Sequence, residues 1–158
     1  MAGTTAIDQQ GSPRHSNPAP QIRHSWLITC LLGVQGVYYL LTGLWPLVSI
    51  ETFQWVTGPK TDNLPTGRES DHWLVMTVGV LVTAIGLTLL VGAWRRGRAS
   101  ELAILALASA LGLTAIDVIY VIREVIPPIY LADAAAESIL IAVWVVALKR
   151  GLRPEEAA

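Results

Sequence analysis

Three acidic residues lie inside long apolar runs of the sequence. Asp117 is near the end of the run 102–122, and Asp133 and Glu137 are both in the run 129–148. Acids at membrane depth are energetically costly and tend to mark ligand, ion or proton sites. Carboxylates grouped in a low dielectric also suit cation capture or proton exchange. The chemistry that the sequence suggests is therefore carried by these acids.

Helical spacing places other polar side chains with the acids. Asp133 and Glu137 are four residues apart and share a face with Tyr130 and Trp144. On the first apolar run, a parallel stripe recurs at intervals of three, four and seven residues and consists of Gln35, Tyr38, Thr42 and Ser49. If these faces point inward, they line an acidic, hydroxyl-rich cavity that opens outward. The predicted ligand-binding residues are Glu137, Asp133, Asp117, Gln35, Tyr38 and Tyr130.

The depth of the acids separates a functional from a structural interpretation. Asp117 and Asp133 are expected roughly 7 to 8 Å below the outer membrane boundary and Glu137 roughly 12 Å below it. The structural alternative is that the acids are hydrated, pair with Arg123, or accept hydrogen bonds from Tyr and Thr hydroxyls of neighbouring helices. Gln35 has a similar alternative as a hydrogen-bonding contact between helices. The loop 49–71 would roof the cavity, with a rim formed by Glu51, Arg68, Asp71, His72 and Arg123.

The elements that must position these residues are membrane-spanning helices. Hydrophobic residues make up 53% of the chain and charged residues 15%, with a mean hydropathy of +0.50. A run of about 20 apolar residues can span a hydrocarbon core. The sequence therefore predicts an all-α, polytopic membrane protein with an antiparallel four-helix transmembrane bundle at 25–149. Its four helices are expected at about 26–48, 73–94, 102–122 and 129–148, with tails at 1–24 and 150–158.

The fourth helix is the weakest of the four spans. Its apolar side chains contribute roughly −3 to −5 kcal/mol to membrane insertion, against roughly +2.5 to +3.5 kcal/mol for each acid at the helix centre. This helix is expected to need protein partners for Asp133 and Glu137, or a protonated carboxyl, to be stable in the membrane. Short loops predict that helices two, three and four pack as successive neighbours, and that helix one closes the bundle. Two pairs of glycines, each seven residues apart on one helix, predict faces that pack closely against another helix. The pairs are Gly36 with Gly43 on helix one and Gly79 with Gly86 on helix two.

The positions of basic residues predict the orientation. The two tails and the loop between helices two and three hold eight Lys and Arg residues, and the other two loops hold three. Basic loops stay on the cytoplasmic side, so both termini are expected in the cytoplasm. Five tryptophans fall near predicted helix ends, where indole rings prefer to lie, namely Trp26, Trp45, Trp73, Trp94 and Trp144.

Several classes of function have no support in the sequence. Cys30 is the single cysteine, and His15, His24 and His72 lack the spacing that would place two imidazoles on one helical face. No metal and no cofactor is therefore expected. The net charge of −1 gives no reason to expect nucleic-acid binding. The expected partners are membrane lipids and a small lipophilic or cationic ligand, and a homodimer is compatible with a chain of this size.

Several stretches of the chain resemble a group of small, uncharacterised bacterial membrane proteins with four transmembrane helices. The stretches are YYLLTGLWPLVSIETFQWVTGPKTD, WLVMTVGVLV, AIDVIYV and IYLADAAAE, and the resemblance covers roughly residues 35 to 148. The resemblance implies a location in the inner (plasma) membrane of a bacterial cell and a shared architecture that includes the three acids. In layout the chain is also similar to the DoxX-like and EXPERA families. No residue role is carried over from any of these families.

Three functions remain open at the level of sequence. The first is binding of a small lipophilic or cationic ligand, or of a proton, in the acidic cavity. The second is a membrane enzyme that acts on a lipid-like substrate, with one carboxyl as general acid and another as base. The third is an accessory subunit of a membrane complex.

Overall fold

The computed structural model describes residues 26–58, 72–95 and 99–151, and this part of the chain is helical throughout apart from short connections. Its helices are α1 (Trp26–Val48), α2 (Ile50–Thr57), α3 (His72–Arg95), α4 (Ala99–Ile122) and α5 (Tyr130–Gly151). α1, α3, α4 and α5 are each long and apolar enough to cross a membrane. The predicted all-α fold with four long helices is confirmed, and it is that of a multi-pass membrane protein. The predicted tail at 1–24 lies outside the described residues.

α1 and α3 form the most extensively packed pair of helices, and glycines allow their close approach. A Cβ atom added at Gly43 would lie 2.8 Å from the carbonyl oxygen of Gly79, and one at Gly86 would lie 2.9 Å from that of Gly36. Side chains at these positions would therefore collide with the opposing backbone. The glycine pairs predicted from sequence spacing are confirmed as the contact surface between these two helices.

α4 and α5 form the second closely packed pair, whereas the two pairs contact one another sparingly. The expectation that successive long helices pack as neighbours is confirmed for α4 with α5. α3 and α4 also contact one another, near Gly92 and Leu102, but far less extensively than α3 contacts α1, which Gly79 and Gly86 face. The bundle is thus two helix pairs rather than an evenly packed set of four.

α2 lies at one end of the bundle, within the predicted loop 49–71. Ser49 caps its N-terminus, with the side-chain oxygen accepting from the backbone N–H of Thr52 at 3.4 Å. The indole of Trp45 donates to the Thr52 hydroxyl at 3.1 Å and meets the ring of Phe53 edge-on, with ring centroids 5.7 Å apart. α2 is therefore held against the last turn of α1, and we call this end of the molecule the α2 end.

The far end of α2 contacts the rest of the bundle as well. The amide of Gln54 lies 2.7 Å from the imidazole of His72 at the start of α3. Gly58 has a φ of 86°, and a Cβ atom there would lie 2.8 Å from the ring of Pro127 in the α4–α5 connection. α2 is therefore joined to both helix pairs at the α2 end.

The hydrophobic core fills the half of the bundle away from the α2 end. Its buried residues come from the first part of α1, the last part of α3, the first part of α4 and the last part of α5: Ile28, Leu31, Leu32, Tyr39, Leu89, Ala103, Ala106, Trp144 and Ala147. Trp144 is fully buried, so its predicted place at a membrane boundary is wrong. The indole turns inward because it fills the core and finds a hydrogen-bond partner there.

Candidate functional site

A cavity of about 500 Å³ occupies the half of the bundle near the α2 end. All five helices contribute to its wall, which is mostly aliphatic and aromatic and includes Phe53 and Val56 from α2, Val78 from α3 and Leu113 from α4. Ligand cavities for small molecules commonly have about 300 to 1,000 Å³ and predominantly apolar walls with a few polar groups. The cavity therefore has the size and composition of a site for a small lipophilic molecule.

The polar part of the cavity wall is acidic. Asp117 of α4 and Asp133 and Glu137 of α5 all line it, together with Tyr130. Asp133 and Asp117 lie near enough to Glu137 for their charges to act on it. The described residues that line the cavity include no lysine, arginine or histidine. An occupant would therefore meet negative or hydrogen-bond-accepting groups without a compensating positive side chain in this wall.

A chain of buried hydrogen bonds leads from the core to the cavity. The indole N–H of Trp144 donates to Oε1 of Gln35 at 2.7 Å. Nε2 of Gln35 donates to the backbone carbonyl of Ala106 at 2.9 Å and to the hydroxyl of Tyr39 at 3.1 Å. The Tyr39 hydroxyl in turn donates to Oε2 of Glu137 at 3.2 Å. We call these four side chains, with the Ala106 carbonyl, the Gln35 network.

A second hydrogen bond runs parallel to the end of this network. The hydroxyl of Tyr38 donates to Oδ1 of Asp133. Adjacent tyrosines on α1 thus meet acids that are four residues apart on α5. These polar contacts join α1 to α5 on the cavity side of the hydrophobic core that the two helix pairs share.

Glu137 is the most deeply buried of the three acids. Its side chain is 0% exposed. Oε2 accepts the bond from Tyr39, whereas Oε1 is buried without a hydrogen-bond partner in the part of the chain that the structure describes. A buried acceptor without a partner costs roughly 1 to 3 kcal/mol, and more when it is charged. Since Glu137 lines the cavity, an occupant of the cavity could supply the missing donor.

The structure places the sequence-predicted site residues in two groups. Asp117, Asp133, Glu137 and Tyr130 line the cavity directly. Gln35 lies behind the cavity wall in the Gln35 network, where it contacts groups from α4 and α5. This position corresponds to the structural alternative for Gln35, and the Tyr38 bond likewise joins two helices.

The structure describes only part of the predicted cavity rim, and it pairs Asp133 and Glu137 with residues other than Arg123. Among the rim residues, Arg68 and Asp71 lie outside the described residues. Arg123 is exposed, and its guanidinium lies over the ring of Tyr120 at 6.0 Å from the centroid. The hydrogens that Asp133 and Glu137 receive come from α1 hydroxyls, so tyrosine rather than Arg123 meets these two acids.

Sequence reasoning missed two members of the site. Tyr39 holds Glu137, and Trp144 fixes the Gln35 side chain. A signal was present for both, because Tyr39 is four residues after Gln35 and Trp144 is seven residues after Glu137. Tyr38, the neighbour of Tyr39, was assigned to the polar stripe in its place. Trp144 was interpreted as a boundary residue because it lies near the end of a predicted span.

The acids do not converge into a metal site. In the segments 26–58, 72–95 and 99–151, no group of three or more His, Cys, Asp or Glu side chains is arranged to hold a metal ion. Asp133 and Glu137 instead each face a tyrosine hydroxyl. The arrangement is thus one that accepts hydrogen bonds or compensates a single positive charge beside an apolar surface.

Comparison with known proteins returned no matching family model, no similar curated protein and no similar solved structure. The resemblance to small bacterial four-helix membrane proteins therefore stays a prediction.

Proposed function

We propose that this protein binds a small lipophilic molecule with a positively charged head group in the cavity at the α2 end. The observation that carries the proposal is Glu137, a fully buried carboxyl that lines an apolar cavity and has one oxygen without a partner among the described residues. Intramembrane acids face protein interiors and pair with opposite charges. A cationic head group supplies that pairing, and the apolar wall receives the rest of the molecule.

The shape of the cavity supports an amphipathic occupant over a bare ion. A volume of about 500 Å³ is far larger than one cation needs. Its wall includes Phe53, Val56, Val78 and Leu113, which offer contact to hydrocarbon but no ligands to a metal. Burying that hydrocarbon contributes roughly 25 cal/mol per Å² of apolar surface, so the apolar part would contribute much of the affinity.

The bilayer is the proposed source of the ligand. The cavity wall combines residues of α3, such as Val78, with residues of α4, such as Ile116, and these two helices share few contacts. A lipophilic molecule can pass between weakly packed helices without first entering water. The binding site would then sample molecules already dissolved in the membrane.

We further propose that the chain lies in a bacterial inner membrane with both termini in the cytoplasm. Eight of its basic residues fall in the two tails, in the α3–α4 connection and in the adjoining last turns of α3 and α5, against three elsewhere. The positive-inside rule then places the α2 end and the cavity on the outer side. Fusing alkaline phosphatase, which is active only outside the cytoplasm, to the C-terminus should give an inactive fusion, while green fluorescent protein fused there should fluoresce.

The binding proposal is tested with a compact lipophilic amine. Protonated adamantylamine and neutral adamantanol have the same hydrocarbon cage and differ in the head group. Equilibrium binding of each to the full chain in lipid nanodiscs, with empty nanodiscs subtracted, should show saturable binding of the amine and weaker binding of the alcohol. The proposal would be contradicted if the amine and the alcohol bound with equal affinity, or if neither showed saturable binding.

A matched pair of variants locates the binding. Glu137→Gln should weaken amine binding about tenfold or more, because the charge that compensates the ammonium group is removed. Glu124→Gln makes the same chemical change at an exposed residue in the α4–α5 connection and should leave binding unchanged. Equal losses in both variants would indicate a general surface-charge effect instead of a site.

A further inference from the structure

The hydrogen bonds of the Gln35 network have a direction that chemistry fixes at two points. An indole N–H can only donate, and a backbone carbonyl can only accept. Trp144 therefore requires Oε1 of Gln35 at one end, 2.7 Å away, and the Ala106 carbonyl requires Nε2 at the other, 2.9 Å away. The side-chain amide of Gln35 cannot be flipped without losing both bonds.

The fixed amide determines how the Tyr39 hydroxyl is oriented. Nε2 of Gln35 carries two hydrogens, of which one goes to Ala106 and the other to the Tyr39 oxygen at 3.1 Å. The tyrosine hydrogen is then directed to Oε2 of Glu137 at 3.2 Å. Ser109 also lies beside Tyr39, but a carboxylate is a stronger acceptor than a hydroxyl.

The consequence falls on Glu137. Oε2 is occupied as an acceptor, which leaves Oε1 as the oxygen available to an occupant of the cavity. Oε1 is buried and lacks a partner among the residues that the structure describes. It faces no donor that could be recruited by flipping Gln35, because that amide is held from both sides. The carboxyl thus presents a single, oriented acceptor.

From this geometry we infer that the site is specific for ammonium groups that carry an N–H, and that it discriminates against quaternary ammonium groups. This inference rests on the proposed function, since it specifies the head group of the proposed ligand. A primary ammonium places an N–H on Oε1 and completes the hydrogen bonding of Glu137. A trimethylammonium group carries the same charge but leaves Oε1 without a hydrogen bond and keeps the charge farther away, behind its methyl groups.

The size of the discrimination follows from the value of such a bond. Sites built to hydrogen-bond a substrate reject analogues that lack the group far more strongly than an apolar pocket rejects an extra methyl. Hydrogen bonds to charged groups are worth enough for about a tenfold or larger difference in affinity. The selectivity should therefore exceed what the added volume of three methyl groups explains in a cavity of about 500 Å³.

The test compares protonated adamantylamine with trimethyladamantylammonium on the wild-type chain in lipid nanodiscs. The amine is expected to bind at least about tenfold more tightly. Equal affinity for the two cations, with adamantanol weaker than both, would overturn the inference and leave the proposed function intact. No saturable binding of either cation would instead remove the proposed function, and with it the inference. The comparison needs no variant and so does not depend on a variant folding.

The Glu137→Gln variant tests the direction of the network separately. Tyr39 still donates, so the amide oxygen of the variant should take the place of Oε2 and its NH₂ group should point into the cavity. The available acceptor is thereby replaced by a donor. The variant should no longer bind adamantylamine more tightly than trimethyladamantylammonium. It should also gain affinity for adamantanone, whose carbonyl accepts a hydrogen bond. An unchanged preference for the primary amine would overturn the inference.

Discussion

Replacing Gly86 with alanine should separate the α1–α3 pair on which the cavity is built. A Cβ atom there would lie 2.8 Å from the backbone nitrogen of Leu40, 2.9 Å from the carbonyl oxygen of Gly36 and 3.1 Å from Cβ of Tyr39. Two of these neighbours are backbone atoms of a regular helix, so none of the collisions can be relieved by a rotamer change. The helices would have to move apart by about 0.6 Å to reach the 3.4 Å of ordinary contact.

The expected cost is about 1 to 3 kcal/mol, the usual range for overpacking a well-packed contact. Alanine also has a higher helix propensity than glycine, by up to about 1 kcal/mol, which offsets part of this loss. Gly33→Ala in α1 is a matched control, because a Cβ atom at Gly33 meets nothing within 4 Å. The control gains the propensity without the collision, so the difference between the two variants isolates the steric effect.

The assay is thermal unfolding of both variants in the same mild detergent, followed by loss of the monodisperse peak on size-exclusion chromatography. Gly86→Ala should unfold at a lower temperature than the wild type, and Gly33→Ala at the same or a higher one. If the two variants have the same unfolding temperature, the close approach of α1 and α3 is not a determinant of stability. Adamantylamine binding should also weaken in Gly86→Ala, because Tyr39 and hence Glu137 would be displaced.

Further predictions concern single side chains around the cavity. Tyr39→Phe should destabilise the protein more than Tyr38→Phe in thermal unfolding, by roughly 1 kcal/mol, because it removes the hydrogen-bond donor of a fully buried carboxyl whereas Asp133 is only half-buried. Equal losses would show that burial does not set the value of these bonds. Val78→Trp should fill the cavity from α3 and abolish adamantylamine binding while the unfolding temperature stays near that of the wild type. Retained binding would place the ligand elsewhere.

The long helices could be predicted from sequence because each is decided by one local property. An uncharged apolar run of about 20 residues has few alternatives to a membrane span, and α1 begins and ends at the predicted residues Trp26 and Val48. The glycine pairs were predictable for the same reason, since a spacing of seven defines one face of a helix. Neither prediction required knowledge of which helices are neighbours.

The arrangement of the helices was not predictable in this way. Loop length predicted contact between α3 and α4, but most of the packing of α3 is with α1, through Gly79 and Gly86. Tyr and Thr hydroxyls of neighbouring helices were predicted as partners of the acids, but Tyr39, which donates to Glu137, was not named among them. Tyr39 could be chosen over other hydroxyls only with the rotation of α1 known, because Tyr38 and Tyr39 differ by about 100° around the helix axis.

The energetic role of Glu137 distinguishes a binding residue from a structural one. The hydrogen bond from Tyr39 is 3.2 Å long, and bonds between helices in membranes contribute on average about 0.6 kcal/mol. An acid within a span costs roughly 2.5 to 3.5 kcal/mol at the helix centre. The free-energy cost of placing the Glu137 carboxyl in the span is thus larger than the stabilisation contributed by its hydrogen bond with Tyr39.

Glu137→Gln keeps an acceptor for Tyr39 and removes the ionisable group. In the absence of ligand it should therefore unfold at the same temperature as the wild type or at a higher one, measured in identical lipid nanodiscs. Added adamantylamine should raise the unfolding temperature of the wild type alone, since only a ligand that binds the folded state stabilises it. A variant that is clearly less stable than the wild type without ligand would show that Glu137 stabilises the contact between α1 and α5. Glu137 would then be a structural residue, and the main observation that supports ligand binding in the cavity would be removed.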